Sequence, residues 1–169
     1  MKFSCQREMA FAVITSAFML VAISCKKSSN SNNNSSNGSI SASINGSAWA
    51  NSFPIIGAFS IGSGNFEFQG IQLKGGDSTG MALVFLTPFT VNQAVSSDSG
   101  WVDVEYIAPM QVLYDGGHTS GHSILTVTSY DPAGQKIAGT FSGVLYNISG
   151  GSDSLVVTNG SFNSTYTSQ

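Results

Sequence analysis

From Ser39 onward, apolar and polar positions alternate with a period of two, and glycine-containing turn clusters break the alternation roughly every ten residues. No stretch of useful length repeats at the helical period. The pattern predicts an all-β domain, an antiparallel β-sandwich of roughly eight to ten strands, with a closed or partly closed β-barrel as the alternative.

Individual segments sharpen that picture. "ISASINGSAWAN" predicts a hairpin whose two-residue turn at Asn45-Gly46 sets Ile44 opposite Ser47 and Ala42 opposite Trp49. Trp49 then joins Ile40, Ala42 and Ile44 as core filler. In "FEFQGIQLK" the apolar parity switches between Phe66/Phe68 and Ile71/Leu73, for which a bulge at Gly70 is expected. "MALVFLTP" is apolar on both parities, as in a central strand buried on both faces and ended by Pro88.

"WVDVEYI" alternates again, sending Val102, Val104 and Tyr106 inward and Trp101, Asp103 and Glu105 to the other face. "SILTVTSYDPAGQKIAGTFSGVLYN" is a hairpin around Asp131-Pro132-Ala133-Gly134, a type I turn sequence. Its returning strand places Ile137, Gly139, Phe141, Gly143 and Leu145 on one face. "SLVVTNGSF" is read as a last strand pair around a second Asn-Gly turn.

The first 38 residues do not fit this pattern. Lys2 and Arg7 precede an apolar run from Met9 to Ile23, too short to cross a ~30 Å hydrocarbon core comfortably, which predicts a signal peptide over residues 1–24. The run closes on Ala22-Ile23-Ser24-Cys25, which resembles the lipobox of bacterial lipoproteins. That resemblance implies that Cys25 is lipidated and becomes the N-terminus, with Ala22 standing where leucine is usual.

The other cysteine, Cys5, falls in the discarded segment, so the mature chain has no disulfide. Lys26 to Gly38, "KKSSNSNNNSSNG", has no apolar residue with which to offset ordering entropy and reads as a tether reaching roughly 20 Å. Residues 39–169 form the single domain. The expected partner of the N-terminus is a membrane, reached through more than one acyl chain on Cys25. The implied location is the bacterial cell envelope at the outer membrane, with the periplasmic or surface face left open.

Charged residues are only 9% of the chain. From Ser39 onward two lysines, Lys74 and Lys136, stand against eight carboxylates, a balance of −6 that excludes a nucleic-acid partner.

"SINGSAWAN", "TSYDPAGQKIAGTFSGVL" and "VVTNGSFN" together are similar to the small all-β lipoproteins of unknown function typical of Bacteroidota-type bacteria. These motifs are turns and strands, so the resemblance implies fold and location and supplies no catalytic residue.

Candidate chemistry is sparse. Asp115, His118 and His122 in "DGGHTSGH" are a ligand set suited to zinc, although three glycines make the segment a loop rather than a helix that would align the imidazoles. Asp103 and Glu105 share a strand face as a paired carboxylate of a glycosidase would. Beside Trp101 they also compose a candidate glycan platform. Asp77-Ser78-Thr79 and Asp153-Ser154-Leu155 resemble the short O-glycosylation acceptor motif of Bacteroidota-type exported proteins, at Ser78 and Ser154. No nucleophile elbow is present.

The expected function is therefore non-enzymatic and cofactor-free, a membrane-anchored module that engages a glycan or protein at the envelope. A small-molecule carrier with an apolar cavity in a barrel is the alternative, and a hydrolase stands third.

Overall fold

The computed structural model describes residues 38–60, 62–117 and 119–168. The lipobox, Cys25 and most of the tether, as well as His118, lie outside the described residues. The domain is all-β, as the alternation requires. Twelve strands follow in chain order: β1 (Ser39–Ile44), β2 (Ser47–Ala50), β3 (Ile56–Ser60), β4 (Asn65–Lys74), β5 (Asp77–Leu86) and β6 (Ala94–Ser96); then β7 (Val102–Ile107), β8 (Leu113–Asp115), β9 (Gly121–Asp131), β10 (Lys136–Asn147), β11 (Ser154–Thr165) and β12 (Thr167–Ser168). Among the described residues no helix is long and apolar enough to cross a membrane.

All strands belong to one hydrogen-bonded sheet, ordered β12-β3-β4-β5-β7-β8-β10-β11-β1-β2, with β9 also on β10 and β6 on β9. Every pairing is antiparallel except β12 with β3. β8 and β9 occupy one column beside β10: Asp115 opposes Tyr146 and Gly121 opposes Leu145. β8 ends at Asp115 and β9 begins at Gly121. The terminal strands β2 and β12 and the branch strand β6 have four, two and three residues.

The sheet folds over one core. Phe66, Phe68 and Phe85 of β4 and β5 stack on one another, with Phe66–Phe85 centroids 5.3 Å apart, and Phe162 of β11 meets Phe68 at 5.5 Å. Ile40, Met81, Leu83, Val104, Leu125 and Leu145 belong to the same buried cluster. Burying each such side chain contributes roughly 1.5–3 kcal/mol.

The β1–β2 hairpin has the expected register, Ala42 opposite Trp49, around Asn45 and Gly46 with φ of 48° and 82°. The β9–β10 turn also forms where expected. Asp131 Oδ1 accepts the Gly134 N–H at 2.9 Å, and the loop runs one residue further than a plain type I turn, through Gln135 at φ 50°.

Two expectations are corrected. β4 runs through Gly70 without a bulge, in unbroken register with β5. Gly70 lies on the inward parity, where a Cβ would stand 3.3 Å from the Trp49 ring and 3.2 Å from Asn51 Cβ; Ile71 and Leu73 point outward. The parity switch thus marks the place where the glycine makes room for the indole.

Asn159-Gly160 is not a turn between two strands. β11 continues through it as a bulge: β1 and β10 each advance two residues while β11 advances three, and Asn159 takes φ 51°. Asn-Gly satisfies a left-handed backbone in a bulge as well as in a turn, and pairing on both flanks selects the bulge.

Candidate functional site

Alternation on β7 sends Val102, Val104 and Tyr106 into the core, as expected. The opposite face is not the wet platform the sequence suggests. Glu105 is 7% exposed and Asp103 has a buried carboxyl oxygen, while Trp101, just ahead of the strand, is 38% exposed. Glu105 is therefore withdrawn from a ligand at Trp101, whereas Asp103 is partly exposed with one carboxyl oxygen buried, so the three do not form an evenly exposed face. The concealment of Glu105 comes from neighbours distant in sequence: Glu105 stands between Ala82 of β5 and Asp115 of β8, and Gly116 donates its N–H to Val104 O at 2.9 Å.

The strand order gathers a cluster of acids on this face. Asp103 lies in line with Val84 and Glu67, and Glu105 in line with Ala82 and Gln69. Asp115, 1% exposed, lies beside this row and takes the Gly117 N–H on Oδ1 at 2.6 Å. Asp103 Oδ1 and Asp115 Oδ2 are buried with no donor. Burial first, and then the Asp115 charge, push the Asp103 carboxyl up to about 9. Burial, followed by Asp115 and Glu67, lifts Glu105 to about 7.

Among the described residues no three acidic, histidine or cysteine side chains are placed to hold a metal. Asp115 Oδ1 accepts the Gly117 N–H. His122 faces away to Asp98, with Nδ1 3.2 Å from Oδ1. With His118 outside the described residues, the zinc set Asp115–His118–His122 is not assembled by what is seen.

Next to the acids lies an open cleft of about 460 Å³ lined by Thr119, Ser120, Gly121, Tyr146, Asn147 and Ile148. Because Leu145 points into the core, Tyr146 points out, and its side is 50% exposed. The far wall is held by side-chain hydrogen bonds. Asn147 Nδ2 donates to Asp153 Oδ1 at 2.7 Å, Tyr114 OH to Asp153 Oδ2 at 2.5 Å, and Ser149 N–H to Asn147 Oδ1 at 2.9 Å. The phenol and amide hold Asp153 below its ordinary carboxylate range. The near wall hangs on one carbonyl: Gly117 O accepts the N–H groups of Ser120 at 3.2 Å and Gly121 at 2.9 Å.

Sequence reasoning did not single out this cleft, although Tyr146 was legible as outward from the parity of Leu145. Ser78 and Ser154 are both exposed, near the starts of β5 and β11. The interior that a carrier would need vacant is occupied by Phe66, Phe68, Phe85 and Phe162, so the packing lends a ligand cavity no support. Comparison of the chain with protein-family models, curated proteins and solved structures returned no match.

Proposed function

We propose that this chain is a lipoprotein anchored through Cys25 that displays a non-enzymatic binding module for a neutral saccharide at the cell envelope. The observation that carries the ligand class is the Tyr146 cleft. A half-exposed ring offers a flat apolar face for the C–H face of a sugar, and Thr119, Ser120 and backbone groups supply hydroxyl-matching partners beside it. Among the described residues the cleft lining carries no charged side chain, which suits an uncharged ligand. The walls are tied by hydrogen bonds in the free protein, so little ordering has to accompany binding.

The test is a glycan array probed with the full-length, detergent-solubilised protein and its Tyr146→Ala variant. Binding to neutral oligosaccharides, weakened about three- to tenfold by the substitution, is the expected result. No glycan bound by the wild type, or binding indifferent to Tyr146, overturns the reading; capture of a protein instead would assign the cleft to a different partner.

A further inference from the structure

The chain enters the described domain at one end of the sheet. Ser39 opposes Asn163, and Gly38 lies against the next residue, with Ser164 Cα 2.8 Å from where its Cβ would stand. Ser164 opposes Ile137, and Ile137 opposes Tyr130. Gly38 and Tyr130 therefore share one cross-strand row, three strand spacings or about 14 Å apart.

That end is apolar and is built from segments distant in sequence. Residues 87–93 leave β5 and are tied at both ends: Thr87 donates its N–H to Gly64 O at 2.7 Å, and Asn92 donates to Val127 O at 2.7 Å. Between those ties Phe89 meets the Tyr130 ring edge-on at 5.3 Å, and both rings stand 6.0 Å from the buried Phe66 ring. Val91 and Tyr130 are exposed beside the half-buried Phe89, with Pro88, Pro132 and Ala133 also exposed.

Charge is nearly absent from these segments. Residues 60–64 and 87–93 contain no charged side chain, and the β9–β10 hairpin contributes one of each sign, Asp131 opposite Lys136. The repulsion that a domain with six surplus carboxylates exerts on a phosphate-bearing surface is relieved here. A tyrosine ring beside bare aliphatic side chains is the combination that settles where head groups meet acyl chains.

We propose that this end of the domain, centred on Phe89, Val91 and Tyr130, seats on the lipid bilayer to which the chain is anchored. The proposal rests on the anchor at Cys25, which brings the bilayer to this end: residues 26–37 span at most about 45 Å even when fully drawn out. Confinement at such range supplies an effective concentration of about millimolar, so a contact too weak to hold a free protein is enough to seat an anchored one.

Seating fixes an orientation. β10 runs from Lys136, opposite Asp131, to Asn147, opposite Tyr114, and separates the two ends of the sheet by up to about 36 Å. Tyr146 belongs to the Asn147 end, so its cleft is held away from the lipid. Met110, exposed in the β7–β8 connection, lies at that far end as well and stays in water.

Tryptophan fluorescence on the full-length protein in phosphatidylcholine vesicles, with and without brominated acyl chains, reads the contact at single residues. Val91→Trp and Met110→Trp each add one indole to Trp49 and Trp101, whose emission in the unsubstituted protein is subtracted. About half of the added emission at 91 is expected to be lost to the bromines, since a seated side chain lies about 5–10 Å into the boundary region, while that at 110 keeps its intensity. Tyr130→Trp, a ring-for-ring exchange at the same end, takes the place of Val91→Trp if that variant fails to fold. Flotation of the unsubstituted protein with the vesicles is scored first. Flotation without loss at the Phe89 end, or with equal loss at both ends, overturns the seat and leaves the anchor standing; failure to float removes the anchor and the seat with it.

Discussion

Trp49 Nε1 donates to Thr79 Oγ1 at 2.8 Å, joining β2 at one end of the sheet to β5 near its middle. The same seam carries the Ser52 N–H to Ile71 O bond at 2.7 Å and the contact of the indole with Gly70. The seam holds the β2 end of the sheet against β4 and β5.

Removing the seam should unravel it. Trp49→Ala is expected to cost about 3–5 kcal/mol, and Thr79→Val, which leaves the indole N–H without its partner, about 1–3 kcal/mol. Equilibrium urea unfolding followed by circular dichroism measures both; equal, negligible losses would show that the seam does not bear on stability.

The bulge in β11 makes a paired prediction. Asn159→Gly should be near neutral because φ 51° suits either residue, whereas Asn159→Val should cost about 1–3 kcal/mol. Gly160→Ala should also destabilise, since its Cβ would press on the Phe141 ring at 2.6 Å. Thermal midpoints of the three variants give the ranking directly.

Global stability should decline with alkalinity. Asp103 is protonated in the folded protein up to about 9 and in the unfolded chain only up to about 4, so each pH unit between costs up to about 1.4 kcal/mol. Glu105 adds a loss of the same sign up to about 7. Asp153, held low by Tyr114 and Asn147, acts oppositely: its contribution is present above the ordinary carboxylate range and is lost as pH falls through its lowered value. Denaturation midpoints from pH 4 to 9 should fall throughout in the wild type and level above 7 in Asp103→Asn.

The proposed anchor is tested at one atom. Cys25→Ser should release the chain from membranes into the soluble fraction without shifting the unfolding midpoint of the β-domain. Retention of the serine variant on washed membranes, or a bare sulfur by mass spectrometry, would remove the anchor.

Local signals decided what was readable. Asn45-Gly46 and Asp131-Gly134 act within a few residues of themselves, so both hairpins and the inward sides of β7 and β10 followed from the sequence. Asn159-Gly160 and Gly70 send the same local signal as a turn or a bulge, and only strands far away in the chain settle which geometry results. The acid pair was the least legible. Asp103 and Asp115 become neighbours because β7 and β8 pair, and "WVDVEYI" by itself looks like a strand with one face in water. The Tyr146 cleft depends likewise on residues 119–121 returning beside residue 146.

The brevity of the sheet's margins bears on life at high density. Proteins confined to a lipid surface meet one another in two dimensions, where an unpaired strand invites a second copy to add its own. The strands at the ends of the sheet and on its branch, of four, two and three residues, offer only short ladders for such growth on the proposed membrane anchor.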